Sequence, residues 1–118
     1  MCLLPENFDL KSLKGERLIM ICFNANQISL HFDSSTKITF EGDYIVEENN
    51  KQMEYSVFPL KSDNGLLVLI ETEIEDSYTD SLRKNLRIKF SNKIILTLMG
   101  ADQYESYSIK KGDMEIIV

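Results

Sequence analysis

Apolar and polar residues alternate along much of this chain with a period of two, in segments too short for anything but small strands. Ile28, Leu30 and Phe32 alternate with Gln27, Ser29, His31 and Asp33, which puts one set on each face of a strand. Leu86, Ile88 and Phe90 alternate in the same way with Arg87 and Lys89. Lys37 to Glu41, Tyr44 to Glu47, and Met53 with Tyr55 and Val57 continue the β pattern. Asn24-Ala25-Asn26, Asp33-Ser34-Ser35-Thr36 and Glu48-Asn49-Asn50-Lys51 read as turns, because asparagine tolerates positive φ. Further strands are expected at about 72–78, 85–90 and 93–99, with Ser91-Asn92 as a turn, and a last hairpin over about 106–118 around Lys111-Gly112-Asp113. Two segments lack the alternation. Residues 17–23, Arg-Leu-Ile-Met-Ile-Cys-Phe, are almost continuously apolar, which predicts a strand buried on both faces. Pro5, Asp9, Leu10, Leu13 and Gly15 predict a short helical or 3₁₀ turn, capped by Asp9 and ended by Gly15 in the left-handed region. Leu66 to Ile70 is a second such turn by analogy, with a buried strand as the competing assignment.

The pattern is also written twice. Leu10-x2-Leu13-x4-Leu18 recurs as Leu66-x2-Leu69-x4-Ile74, 56 positions on. Ile28-x-Leu30-x-Phe32 recurs 58 positions on as Leu86-x-Ile88-x-Phe90, and Lys37-Ile38 reads as Lys93-Ile94 at 56 again. The repeat covers about residues 8–58 and 64–118. Neither half is long enough to bury a sound core alone, so both are expected to share one domain, residues 1–118. Short, evenly spaced strands without a long amphipathic helix predict a mainly β fold. The expected architecture is an antiparallel β-sandwich or partly open barrel built from two similar halves, with one or two short helical turns.

Composition narrows the function more than the fold. With 43% hydrophobic and 27% charged residues in 118, the chain is of ordinary globular type. Its longest apolar run, Leu66 to Ile70, is far short of the roughly 20 residues that span a bilayer, and the N-terminus lacks the basic-then-apolar pattern of a secretory signal. A cytoplasmic, non-membrane protein is expected. Cys2 and Cys22 are too few for a disulfide framework and are expected to be reduced, with Cys22 as a small core residue. A net charge of −6 argues against nucleic acid as a direct partner, since phosphate binding needs a basic surface. It suits solubility, and equally the attraction of a basic partner.

No catalytic, cofactor or metal motif stands out. His31, the single histidine, lies on the polar side of its strand with no nucleophile tied to it. Zinc-ligand spacing, a phosphate-cradling glycine loop and a nucleophile elbow are all missing. The conspicuous chemistry is acidic: Glu71, Glu73, Glu75, Asp76 and Asp80 occur together, followed by Arg83, Lys84, Arg87 and Lys89. Alternation would put Glu71, Glu73 and Glu75 on one face with Arg87 and Lys89 opposite. Such a face is either solvated and self-compensated or an acidic edge offered to a basic partner. Calcium would need ligand spacing that these residues do not have. In Asp102-Gln103-Tyr104-Glu105-Ser106-Tyr107-Ser108-Ile109, Tyr107 and Ile109 read as buried. Tyr104 is either part of that structure or an exposed interface anchor.

Leu86-x-Ile88-x-Phe90-Ser91-Asn92, Tyr104-Glu105-Ser106-Tyr107-x-Ile109 and the closing Ile116-Ile117-Val118 resemble a group of small bacterial β-proteins. Leu10-x2-Leu13-x-Gly15 and Phe40-x-Gly42 fit the same pattern, so the likeness spans about residues 8–118. Some similar chains are CdiI-type immunity proteins of contact-dependent growth inhibition, which bind and block the toxin domain of a neighbouring cell's effector. The resemblance implies a non-catalytic immunity protein that occludes the active site of a basic toxin domain, such as a nuclease. On that reading Glu71, Glu73, Glu75, Asp76, Asp102 and Glu105 attract the partner, while Tyr78 and Tyr104 anchor the contact. The alternatives are a small-ligand-binding β-barrel module without catalytic activity, and a protein that self-associates through an open sheet edge.

Overall fold

A computed structural model of the chain describes residues 3–6, 8–101 and 106–118. Among them are strands β1 (Leu18–Phe23), β2 (Ile28–Phe32), β3 (Thr36–Phe40), β4 (Tyr44–Glu48) and β5 (Lys51–Tyr55), then β6 (Ile74–Thr79), β7 (Leu86–Phe90), β8 (Ile95–Leu98), β9 (Tyr107–Lys111) and β10 (Met114–Ile117). A 3₁₀ turn precedes each set of five, at Leu10–Leu13 and Leu67–Leu69. The first is capped by Asp9, whose carboxylate accepts from the Lys11 N–H at 3.0 Å. The strands form two antiparallel five-stranded sheets, ordered β1-β2-β3-β9-β10 and β5-β4-β8-β7-β6. Of the two architectures the pattern allows, the chain forms the sandwich and not the barrel. No helix among the described residues is long and apolar enough to cross a membrane.

The strand order interlocks the two halves. Each half supplies three consecutive strands to one sheet and a hairpin to the other, so β1-β2-β3 is completed by β9-β10 and β6-β7-β8 by β4-β5. At the junction the hydrogen bonds obey an approximate two-fold. Gly15 N–H donates to the Ile74 carbonyl at 2.8 Å, and Glu71 N–H to the Leu18 carbonyl at 2.8 Å. Leu18 N–H meets the Thr72 carbonyl at 2.9 Å, and Ile74 N–H the Glu16 carbonyl at 2.8 Å. Arg17 and Glu73 bridge on the axis itself. β1 and β6, the outer strands of their sheets, are thus stitched together, and both carry a bulge one residue into the strand, between Leu18 and Met20 and between Ile74 and Asp76.

Register corrects the repeat at one point. Leu30 faces Ile38 and Ile88 faces Leu96, so Lys37-Ile38 matches Ile95-Leu96 and not Lys93-Ile94. The second hairpins, Glu48 with Lys51 and Lys111 with Met114, correspond at a spacing of 63. Their tips differ in chemistry: Asn49 and Asn50 take φ of 54° and 66°, whereas Gly112 takes 61°.

The alternating residues fill the core as their period dictates. Ile28, Leu30, Phe32, Ile38 and Phe40 from one sheet are buried with Leu86, Ile88, Phe90, Leu96 and Leu98 from the other. Tyr107 and Ile109 are buried too. The strand expected to be buried on both faces is not. β1 is an edge strand, with Ile19 48% and Met20 47% exposed, and Cys22 is on the surface, not in the core. An apolar run in a bulged edge strand has the same pattern as a central one, and only pairing on a single side tells them apart.

Candidate protein-binding surface

The acidic stretch comes together with its own cations. Glu71 does not join a strand. It follows the second 3₁₀ turn at φ 74°, the place Gly15 holds at φ 89° in the first half. Glu73 lies across from Arg17, 3.8 Å from its guanidinium. The bulge breaks the expected alternation, so Glu75 and Asp76 both reach the solvent side. Glu75 accepts two bonds from Lys93 Nζ, at 2.9 and 3.1 Å, with Lys89 Nζ at 3.7 Å. Asp76 accepts from Lys11 Nζ at 2.7 Å and from the Ser77 N–H at 2.9 Å. The Lys93 contact holds the Glu75 carboxyl below its usual range, and the Lys11 contact does the same for Asp76. Tyr78 lies beneath the Arg87 guanidinium, 5.1 Å from its ring centre, and Arg87 also approaches Glu47 at 4.0 Å. The outer face of this sheet is therefore charge-compensated from within, and exposed pairs of this kind contribute little to stability. Of Glu71, Glu73, Glu75 and Asp76, Glu71 alone engages no cation among the described residues. Asp102, Tyr104 and Glu105 lie outside the described residues.

The open end of the same sheet is built differently. β5 pairs with β4 and with no other strand. Val46 on β4 is 7% exposed, but Met53, directly opposite on β5, is 57% exposed. The segment after β5 adds exposed Phe58 and Leu60, and the second 3₁₀ turn adds exposed Leu67 and Val68. Between the β4–β5 hairpin and that turn runs a groove of about 480 Å³, with Val46, Met53, Tyr55, Val68 and Ile94 along its apolar walls. Glu48, Lys51 and Asp63 stand around it.

Local chemistry holds the groove open. Tyr55 stacks on Tyr44, ring centres 5.2 Å apart and planes within 15°. The buried Tyr44 hydroxyl donates to the Asn64 carbonyl at 2.9 Å, and the Asn64 amide oxygen accepts from the Leu66 N–H at 3.0 Å. Gly65 follows at φ 73°, where a Cβ would meet the Tyr55 ring at 3.1 Å, so the chain passes the ring only because the side chain is missing. The only sign of this surface in the sequence is the alternation of Met53 and Tyr55 with polar neighbours. That alternation predicts a half-buried strand and says nothing of what covers it.

Among the described residues no group of three His, Cys, Asp or Glu side chains is placed to hold a metal ion. Comparison with family models, with curated proteins and with solved structures gives no match for this chain.

Proposed function

We propose that this chain is a non-catalytic immunity protein of a bacterial cytoplasm, which neutralises a basic toxin domain by laying the β5 edge and its groove over the toxin's working surface. The observation that carries the reading is Met53, core-facing by register and left uncovered beside Val68 in the groove. Large apolar side chains surrounded by a polar rim are the usual anchors of a protein interface. Glu48, Glu54 and Asp63 border this region in a chain of net charge −6, which favours a basic partner during approach. Glu71, with no cation engaged among the described residues, is available to add to that attraction. Glu73, Glu75 and Asp76 are screened by their own lysines and arginines, so they contribute less than their number suggests.

The test is co-expression with the toxic domain of an effector encoded beside this chain. Restored growth and a stable equimolar complex are expected, with complex formation weakened by salt. Undiminished toxicity without a complex would overturn the reading.

A small-ligand module is the second reading, and a separate feature favours it. On the outer face of the other sheet, Ser29, Thr39 and Ser108 line up across β2, β3 and β9, and Lys37 stands directly opposite Lys110. Two adjoining depressions of about 170 and 220 Å³ lie there, sharing Gln27, Thr39, Ser108 and Glu115. Like charges in direct opposition destabilise a sheet; Glu115, opposite Lys110 on β10, offsets one of the two lysines, and an anionic metabolite would relieve the other. A thermal-shift screen that finds such a stabiliser, in a chain that protects against no toxin, would put this reading first.

A further inference from the structure

The groove beside β5 has a counterpart in the other half of the molecule, and the counterpart is full. Through the register, Lys111 corresponds to Glu48, Ile116 to Met53 and Thr36 to Ile94. Ser12 corresponds to Val68 and Glu16 to Thr72. In the filled site the Lys111 ammonium donates to the Ser12 carbonyl at 2.8 Å and to Glu16 Oε2 at 3.0 Å. The Glu16 side chain, 6% exposed, also accepts from Thr36 Oγ1 at 2.8 Å and from Ser34 Oγ. Ile116, beside it, is 8% exposed.

Each part of that arrangement is undone in the second site. Thr72 replaces Glu16 and spends its hydroxyl on the Leu69 carbonyl at 2.6 Å. Ile94 replaces Thr36, and the Val68 carbonyl, counterpart of the Ser12 carbonyl, accepts instead from the Asn92 amide at 3.2 Å. Where the lysine stem would begin there is a carboxylate, Glu48, engaged by no side-chain hydrogen bond or ion pair among the described residues. What remains is the open groove, with Val46, Met53, Tyr55, Val68 and Ile94 as apolar walls and Glu48, Asn49, Lys51 and Asp63 around them.

We infer that the groove receives a cationic side chain, a lysine or arginine carried by the protein partner, its stem along the apolar walls and its head at Glu48. The inference rests on the reading of this chain as a protein-binding module and specifies what the partner must present. A lysine or arginine stem covers apolar surface while its head stays polar, which matches walls of Val46, Met53 and Val68 below Glu48. Glu48 and Asp63 outnumber Lys51 around the groove, so an anion is repelled there. A purely apolar occupant would desolvate Glu48 without replacing its water.

The experiment uses the full chain and N-acetyl-lysine methylamide as probe, followed by methyl and amide NMR, with N-acetyl-norleucine methylamide as the uncharged control. The lysine probe is expected to shift the Val46, Met53 and Val68 signals saturably, and to bind about tenfold more tightly than the control. Glu48→Gln weakens it by about threefold to tenfold. Glu48→Lys abolishes probe binding, because it puts a positive charge where the probe's ammonium would sit. No saturable shift, equal binding of the control, or unchanged probe binding by Glu48→Lys each overturns the inference. The two readings fail separately. Probe binding by a chain that protects against no toxin counts against the immunity function and leaves the groove intact. Protection that survives Glu48→Lys unaltered removes the groove and leaves the function.

Discussion

The junction of the two halves sets one backbone conformation with two different residues, and exchanging them tests how far the two-fold governs stability. Gly15 and Glu71 follow equivalent 3₁₀ turns at φ 89° and 74°, and each N–H donates across the axis at 2.8 Å. The two bonds are matched, so the difference between the sites is the Cβ. A non-glycine residue in the left-handed region costs about 1–2 kcal/mol. Against this, glycine enlarges the unfolded ensemble, which costs about 0.4–1 kcal/mol. A Cβ at Gly15 would meet nothing within 4 Å, so no clash adds to the backbone term. Gly15→Ala is therefore expected to destabilise by about 0.5–1 kcal/mol, and Glu71→Gly to stabilise by a similar amount. With m of about 1.5 kcal/mol/M in urea, the midpoints move in opposite directions by about 0.3–0.7 M. Glu71→Gln separates charge from backbone. It removes the carboxylate but keeps the Cβ, and should stay within about 0.5 kcal/mol of the wild type. Shifts of the same sign for Gly15→Ala and Glu71→Gly, or a Glu71→Gln gain as large as that of Glu71→Gly, would refute the argument.

Three further outcomes follow from single groups. Ser77 is 3% exposed and its hydroxyl has no hydrogen-bond partner among the described residues, whereas its counterpart in β1 is Ile21. Ser77→Ala should raise stability by up to about 1 kcal/mol, measured by urea unfolding, and a loss would mean that the hydroxyl is satisfied after all. Lys11 holds the Asp76 carboxyl below its usual range, so this pair stabilises the fold at neutral pH and ceases to do so as pH falls through the lowered value. In an NMR titration Lys11→Met should bring the Asp76 pKa back up, and an unchanged value would contradict the assigned cause. Burial pushes the Tyr44 and Tyr107 phenols well above their ordinary value. Stability is thus fully present below pH of about 10 and falls above it. Ultraviolet titration should show these two phenols ionising only on unfolding, and all five tyrosines titrating together would disprove it.

Much of the fold was legible because burial on one face of a strand leaves a period of two in the sequence. Ile28-Leu30-Phe32 and Leu86-Ile88-Phe90 needed no further information, and Asp9 with Gly15 marked the first 3₁₀ turn by cap chemistry alone. The pairing partners were not legible. Nothing local in β3 says that it meets β9 from the other half, and that exchange makes β1 and β10 the edges of one sheet and β5 and β6 those of the other. The acidic stretch was visible as composition, yet its compensation depends on a bulge after Ile74 and on Lys11, 65 positions from Asp76. The groove was hidden for the same reason. Its signal lies in Glu48-Asn49-Asn50-Lys51 set against Lys111-Gly112-Asp113-Met114, a comparison that makes sense only once the hairpins are known to exchange.

Where the halves agree, the agreement is structural: the same turns, bulges, cross-axis bonds and apolar rows. Where they differ, the fold tolerates either choice, so the difference reflects another demand. A half-buried lysine at 111, paired with the buried Glu16, closes one end of the sandwich, and the desolvation of the carboxylate is offset by three further donors and acceptors. The other end, with the same backbone, keeps Thr72 and Ile94, leaves Met53 in water and puts Glu48 at the entrance. Exposed methionine at a core-facing position forgoes hydrophobic stabilisation of about 1.5–3 kcal/mol, and the closed end shows how this backbone can recover it. A sequence under pressure for stability alone would close both ends. The open end is therefore best explained by something that closes it from outside. Relative to the closed end it lacks both the lysine stem and the carboxylate that receives it, and the carboxylate it offers instead is Glu48.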